Sequence, residues 1–548
     1  MKVIIACLNS KYVHASLSPW CLLAGVREFA KNDYDVSVAE STINGDMQAF
    51  AQKIIKDKPD VVAFSCYIWN ITKTLEICSI IKSNHSCRIV LGGPEVAYRQ
   101  KDILEKYDFV DFVLSGEGEW TFPDFLDNMN GDLSYVAGLT YRADDGIVTI
   151  PEKEYKDTPP SPYSDEFFEN LGGRISYIET ARGCPYRCAF CLSGRCSPLR
   201  FFEIGRVKKD IIRLSKSGTQ TLKFVDRTFN ANAERANEIL LFIKENYGRE
   251  IPENVCFHFE IAGDILKEST LQILSSMPRG AVQLEIGMQS FNEETLRLIN
   301  RKTDTKKLIE NIRKLISFNN MHIHIDLIAG LTGEDLESFR QSFNIGYSLK
   351  AHMLQMGFLK LLHGADMREN KEKYPCIFAD EPPYEVISTP WLSEESVKML
   401  KNCEDALDRL YNSGRFLFTL EYLTDEVGIS PFDVFNDFGN CVNGNKMRLS
   451  DYAESLYNFF SDKCDKEILR EKILCDLLCC SSSVQIPDVL KVRDPLYKQV
   501  KKHFTENVDK NIKTAIIYSK NKAFAVNQNE AKNLHNRYEG RFYNIDEI

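Results

Sequence analysis

Short apolar runs of four to seven residues, each followed by a loop and usually by a stretch of helical periodicity, recur along two thirds of the chain and restrict it to a parallel α/β architecture. In the first 129 residues the runs fall at 2–7, 35–40, 61–66, 88–91 and 111–115, with helical spacing between them, as in 75–82. Five strands with helical crossovers predict a doubly wound, Rossmann-like sheet, a design that binds ligands at the carboxyl ends of its strands. Polar residues and glycines gather at those ends. Residues 9–16 follow the first strand and Ser65 ends the third, while Gly92-Gly93-Pro94-Glu95 and Gly116-Glu117-Gly118-Glu119 follow the fourth and fifth. Residues 139–150 read as a hairpin turning at Asp145-Gly146. The first domain is therefore expected over 1–150, with the proline- and charge-rich stretch 151–169 as a linker.

The alternation resumes with runs at 175–179, 221–226, 255–260, 281–287, 322–328 and 352–358, and with helices expected over 233–245 and 334–348. Six βα repeats predict a partial (β/α)6 barrel over 170–375, with catalytic groups at the carboxyl ends of its strands. Residues 376–548 read as a mainly helical third domain with a late pair of strands at 514–518 and 522–526. A length of 548 residues agrees with about three domains.

The run Ala181-Arg182-Gly183-Cys184-Pro185-Tyr186-Arg187-Cys188-Ala189-Phe190-Cys191 follows the first barrel strand. Three thiolates at this spacing can close around one corner of an iron–sulfur cubane and leave its fourth iron open. Clusters that only carry electrons usually take four cysteines, so the open iron points to a bound small molecule and to chemistry. The chain has 17 cysteines at irregular spacings, which fits reduced thiols and cluster ligands better than a disulfide framework; Cys475, Cys479 and Cys480 read as buried thiols. Arg195 and Cys196, just past the three cysteines, read as the end of that loop. A net charge of −10 supplies no global field for nucleic acid, and the basic run 491–503 reads as a solvated helix face. No apolar run reaches the ~20 residues of a membrane span, and residues 1–7 read as a buried strand and not as a signal segment, so the expected location is the cytosol.

The cysteine spacing, with Phe190 before the third cysteine, resembles the signature of the radical S-adenosylmethionine (SAM) superfamily. The resemblance implies a [4Fe–4S] cluster on Cys184, Cys188 and Cys191, whose open iron chelates SAM, and an electron that splits SAM to a 5′-deoxyadenosyl radical. The later strand ends match in order. Asp226 stands where many members have Gly-Gly-Glu and is a candidate for the methionine amino group; Glu260 is placed to face the methionine or ribose. Glu285 with Gln289-Ser290 resembles the turn near the nucleoside, and 326–334 resembles the adenine-side segment.

The N-terminal motifs, Ser65, the Gly92-Gly93-Pro94-Glu95 turn and the Glu117 element, resemble the cobalamin-binding domain that precedes the barrel in one branch of this superfamily. His14 occupies a loop comparable to that of the axial histidine in other cobalamin proteins, but Tyr12 stands where an orienting aspartate would be, so cobalamin without a histidine on its lower face is expected. The whole chain resembles the group of cobalamin-type radical enzymes with a C-terminal domain of unknown function. That resemblance implies a methyltransferase acting on an unactivated carbon of a small molecule or peptide, with an external one-electron reductant such as flavodoxin or ferredoxin. Three alternatives stay open: cobalamin-dependent rearrangement or ring formation without methylation, a transfer-RNA methylthiotransferase, and a cobalamin or redox sensor. The second needs a further cluster, and Gly92-Gly93 stands where its third ligand would be wanted beside Cys7 and Cys66.

Overall fold

The structure is a computed structural model, and it describes residues 1–195, 198–480, 484–507, 514–519, 522–527 and 540–544. The chain divides into two compact units, one of residues 1–283, 299–303 and 359–386, the other of residues 284–298, 304–358 and 387–548.

The first unit opens with β1 (Lys2–Asn9), α1 (Ser18–Phe29), β2 (Asp35–Thr42), α2 (Met47–Lys56), β3 (Val61–Ser65), α3 (Ile71–Asn84), β4 (Arg88–Gly92), α4 (Gln100–Lys106), β5 (Phe112–Leu114) and α5 (Gly118–Asn128). These strands run parallel in the order β2-β1-β3-β4-β5, and the antiparallel hairpin β6 (Leu139–Ala143) and β7 (Gly146–Thr149) continues the sheet. β1 and β3 flank the point where the strand order reverses, the place where open α/β sheets take their ligands. Every residue of β1 from Val3 to Leu8 is buried, as a central strand covered on both faces requires. Ile4, Phe50, Phe64, Ile77, Leu91 and Val113 belong to the core around it. β1 extends two residues past the expected run because its register with β2 continues to Asn9 opposite Thr42.

The expected linker ends in structure. Residues 165–171 form α6 (Asp165–Leu171), with the Ser164 hydroxyl accepting from the Phe167 N–H and with Phe167 and Leu171 buried. Seven residues make too little of a helical period to register in the sequence.

The second set of elements begins with β8 (Ser176–Ile178), the short pair β9 (Ala181–Arg182) and β10 (Arg200–Phe201), α7 (Ile204–Ser215), β11 (Thr221–Phe224), α8 (Ala233–Asn246), β12 (Cys256–Ile261) and α9 (Glu268–Ser275). β11 pairs in parallel with β8 on one side and β12 on the other. Then come β13 (Val282–Gln289), α10 (Glu293–Leu298), α11 (Thr305–Ser317), β14 (His322–Ala329), α12 (Leu336–Ser348) and β15 (Met353–Phe358), with β14 and β15 parallel. All six runs expected as barrel strands are strands, each followed by at least one helix. β13 alternates strictly: Val282, Leu284, Ile286 and Met288 are buried, while Gln283, Glu285, Gly287 and Gln289 on the other face are only partly so. A strand that packs one side and keeps polar groups on the other has a working face. Asparagine or aspartate side chains cap the following helices, Asn232 at α8, Asp304 at α11 and Asp335 at α12.

A short helix, α13 (Asp366–Glu369), and strands β16 (Ile377–Phe378) and β17 (Val386–Ser388) lead to α14 (Glu394–Leu407), α15 (Leu417–Glu421), α16 (Pro431–Val442), α17 (Leu449–Phe460), α18 (Lys466–Cys480) and α19 (Tyr497–Asn507). α14 and α16 pack closely: a Cβ on Gly439 would lie 2.3 Å from the Asn402 carbonyl oxygen. Asp476 of α18 is buried and accepts from the N–H groups of Phe418 and Thr419, capping α15 across the core. Cys475 and Cys479 are buried in the same helix as expected, whereas Cys480 at its end is only partly buried; Lys498, Lys501 and Lys502 are exposed on α19 as expected, whereas Lys491 and Arg493 are exposed in the segment before it. The late strands are β18 (Thr514–Ser519) and β19 (Lys522–Asn527), joined by an unexpected third, β20 (Arg541–Asn544), which pairs antiparallel with β19. Among the described residues no helix is long and apolar enough to cross a membrane.

Candidate active site

The antiparallel pair β9 and β10 closes the cysteine loop at its base, Arg182 opposite Arg200. Within the loop Gly183 has a φ of +92°, and a Cβ on Gly194 would lie 2.1 Å from the Tyr186 carbonyl oxygen. Three further bonds fix the middle of the loop: Ala189 N–H to the Ile299 carbonyl, Met367 N–H to the Ala189 carbonyl, and Asn300 Nδ2 to the Arg187 carbonyl at 2.8 Å. Arg195 donates to the Gly364 carbonyl, and Cys196 lies outside the described residues. The three sulfurs each have a polar neighbour. Thr228 Oγ1 is 3.5 Å from Cys184 Sγ, the Ser193 N–H donates to Cys191 Sγ at 3.4 Å, and Arg301 Nη1 is 3.7 Å from Cys188 Sγ. Burial pushes the Cys188 thiol up, and the adjacent Arg301 cation opposes that rise. Phe190 is half-buried between Cys188 and Cys191.

Two anchors hold the start of this loop. Asp226, 2 % exposed just after β11, accepts from the Thr180 and Ala181 N–H groups on Oδ1 at 2.7 and 3.1 Å and from the Thr180 hydroxyl on Oδ2. Burial pushes its carboxyl up to about 7, against the opposing pull of those bonds. Arg182 carries the second anchor. Its guanidinium donates to Glu117 at 2.5 Å, to Glu119 at 2.7 Å and to both oxygens of Glu179 at 2.7 and 2.9 Å, and Arg200 joins Glu117 at 2.7 Å. Asp226 and Glu117, read from sequence as cofactor contacts, thus have carboxylates that grip the cysteine loop.

The remaining strand-end candidates fall in both units. In the first, Glu260 of β12 stands 4.0 Å from Lys223 Nζ. In the second, Glu285 of β13 converges with His324 and Asp326 of β14, their ligand atoms within 4.8 Å of one another. Gln289 ends β13 with a φ of +69°, unusual for a side-chain-bearing residue, and its buried Oε1 has no hydrogen-bond partner among the described residues. Ser290 donates to Glu334 at 2.5 Å and accepts from the Asn292 N–H, so its hydroxyl is engaged within the fold.

At the carboxyl ends of the first sheet, Ser65 is buried and its carbonyl accepts from Asn70 Nδ2. Gly93 has a φ of +100°, and a Cβ there would lie 2.6 Å from the Cys66 carbonyl oxygen, so this glycine is required by the chain's own backbone. Gly92 accepts from the Cys66 N–H at 2.7 Å. Glu95, buried, accepts from Tyr384 and from Arg99 at 2.6 Å, and burial raises its carboxyl. His14 Nδ1 lies 2.6 Å from the Tyr177 hydroxyl; burial and the charges of Lys11 and Lys223 keep the ring below the ordinary histidine value. A phenol is a weaker orienting partner than a carboxylate. His14→Ala is accordingly expected to keep bound corrinoid per chain and the cobalt(II) spectrum unchanged, and a loss of either reveals an axial contact. The local motifs carry no sign of Arg301 or Trp69, and Tyr12 registers only as the residue in place of an orienting aspartate. Tyr12 and Trp69 are 76 and 48 % exposed after β1 and β3, at the switch point, with Trp69 stacked on Tyr67.

Three family models match the chain: "B12 binding domain" over residues 3–126, "Radical SAM superfamily" over 178–344 and "Protein of unknown function (DUF4080)" over 372–544. The central match defines a radical SAM domain around the cysteine loop. More particularly, the chain joins that domain to an N-terminal B12 binding domain and a C-terminal DUF4080 domain. Among curated proteins it is similar to the 2-(S-pantetheinyl)-carbapenam-3-carboxylate methyltransferase of Streptantibioticus cattleyicolor, 29% identical over 379 residues, 60% of this chain and 51% of that protein. It is also 29% identical over 374 residues to the cobalamin-dependent radical SAM methyltransferase TokK of Streptomyces tokunonensis, with the same coverage of 60% and 51%. The chain spans about half the length of these relatives. Among solved structures, the cobalamin-dependent S-adenosylmethionine radical enzyme OxsB with aqua-cobalamin and S-adenosylmethionine bound shares the fold, with a TM-score of 0.62 over 92% of this chain and 84% of that one at 15% identity. The domains imply a [4Fe–4S] cluster, SAM and cobalamin. The donor set fits the cluster: three sulfurs, each beside a polar group, with a cation and a backbone N–H among those neighbours.

Proposed function

We propose that the protein is a cobalamin-dependent methyltransferase that adds a methyl group to an unactivated carbon of a small-molecule or peptide substrate. The observation that carries this reading is the three-cysteine loop, pinned at its base and middle, in a chain whose first domain is a B12 binding domain. The two curated relatives described above are methyltransferases, which supports the same reading. When bound, the cluster with SAM supplies the radical that removes a hydrogen from carbon, and cobalamin supplies the methyl group.

The residues of the chain hold and orient these groups. Cys184, Cys188 and Cys191 ligate the cluster. Arg301, a cation beside Cys188, suits the carboxylate of SAM, since a guanidinium matches that group in a bidentate fork. Tyr12 and Trp69 give the switch point an apolar surface suited to one face of a macrocycle. An external one-electron reductant, such as flavodoxin or ferredoxin, completes the system.

The test uses anaerobic holoprotein reduced with titanium(III) citrate and given SAM with no added substrate. The expected products are S-adenosylhomocysteine equimolar with bound corrinoid, from methylation of the cofactor, and 5′-deoxyadenosine from reductive cleavage. Corrinoid-loaded protein that gives 5′-deoxyadenosine and no S-adenosylhomocysteine contradicts the methyltransferase reading.

A further inference from the structure

The Arg182 cluster joins two parts of the first unit that the function treats as separate. Glu117 and Glu119 belong to the turn after β5 and the first turn of α5, in the B12 binding domain. Glu179 follows β8, and Arg182 stands two residues before Cys184. The turn is built for this task. Gly116 adopts a φ of +82°, a left-handed backbone that favours glycine, so the turn that presents the two glutamates is set by that residue. All five side chains are largely withdrawn from water: 18 % exposed for Arg182, 14 % for Glu117, 6 % for Glu119, 19 % for Glu179 and 13 % for Arg200. Glu119 lies well inside, yet the Arg182 charge and its hydrogen bonds outweigh burial and hold its carboxyl below the ordinary glutamate value. A planar fork with five donors can serve three carboxylates at once, which an ammonium group cannot do with the same geometry.

We infer that Arg182 is a positioning residue through which Glu117 and Glu119 of the B12 binding domain set the placement of the cluster loop. The inference rests on the assignment of the cluster to Cys184, Cys188 and Cys191. Three carboxylates against two guanidiniums leave this group one negative charge in excess, a short way along the chain from the first cluster ligand. The loop's position and the charge beside it are therefore both set from the B12 binding domain. Glu117 is committed to Arg182 and Arg200 and is not a cobalamin contact.

The test compares Glu117→Gln and Arg182→Lys with the wild-type protein, all reconstituted anaerobically with iron, sulfide and hydroxocobalamin. Glu117→Gln removes one negative charge and keeps the size of the side chain. Its expected result is an unchanged corrinoid content and a cluster reduced more easily by at least threefold in equilibrium, about 28 mV at 59 mV per tenfold for one electron. Arg182→Lys keeps the charge and loses the fork; the expected result is an altered electron paramagnetic resonance spectrum of the reduced cluster with corrinoid again retained. If Arg182→Lys does not fold, the Glu117→Gln potential decides alone. A fall in corrinoid content with an unchanged cluster potential and spectrum overturns the inference and makes Glu117 a cofactor contact; no change in either overturns it as well. Wild-type protein that takes up no cluster refutes the cysteine assignment itself, a separate outcome.

Discussion

Replacing Cys184 with alanine is expected to bring iron from about four per chain to background and to leave bound corrinoid unchanged. The first cysteine follows a loop start fixed by Asp226 and Arg182, so the remaining residues keep their places and the loss is one of ligation. Two thiolates do not hold a cubane that three are needed to corner. Formation of 5′-deoxyadenosine should fall by more than about 100-fold, since removal of even outer-shell partners of a metal site typically costs 10–100-fold. Corrinoid is retained because the sheet β1–β5, with its own buried core, does not depend on the loop. Iron near the wild-type level together with continued SAM cleavage shows that the cluster is elsewhere.

Asp226→Ala carries the second large effect, and its comparison with Asp226→Asn separates anchoring from ligand binding. Alanine leaves the buried N–H groups of Thr180 and Ala181 without their acceptor, at about 1–3 kcal/mol each, so a total loss of about 2–6 kcal/mol is expected with poor cluster uptake. Asparagine keeps an Oδ1 for both N–H groups, and its Nδ2 can donate to the Thr180 hydroxyl. It should fold and load the cluster like the wild-type protein, whereas a carboxylate needed for the SAM amino group would make asparagine fail too.

The pH dependence is a further check. The carboxyl is raised to about 7 from its ordinary 3.8, so its contribution to stability is full below about 4 and is lost as pH rises through 7. Asparagine does not titrate. Its stability relative to the wild-type protein should improve from about pH 4 to about pH 7, by at most about 1.4 kcal/mol per pH unit, and level off above that, as read from melting in denaturant.

The strands were legible because each is a short apolar run, and their carboxyl ends were legible because glycines and polar residues collect there. The cysteine loop was legible because its ligands lie within eight residues of one another. The residues that hold that loop were not, because their partners are distant in sequence. Arg182 meets Glu117 and Glu119 across 65 and 63 positions, and Arg301 reaches Cys188 across 113. No local period records such pairs. The same distance explains Glu95, whose motif resembles a ligand turn while its carboxylate accepts from Tyr384, 289 positions away. Gly93 shows that a glycine can be demanded by the protein's own backbone as readily as by a ligand. β20 escaped notice because four residues, Arg-Phe-Tyr-Asn, carry no alternation of their own and pair only through β19.

The most direct test of the two-cofactor reading is a single anaerobic preparation in which iron, acid-labile sulfide and corrinoid are measured together. The account predicts about four iron, about four sulfide and one corrinoid per chain. Iron near eight with no corrinoid would contradict it, because a second cluster would then stand where cobalamin is assigned.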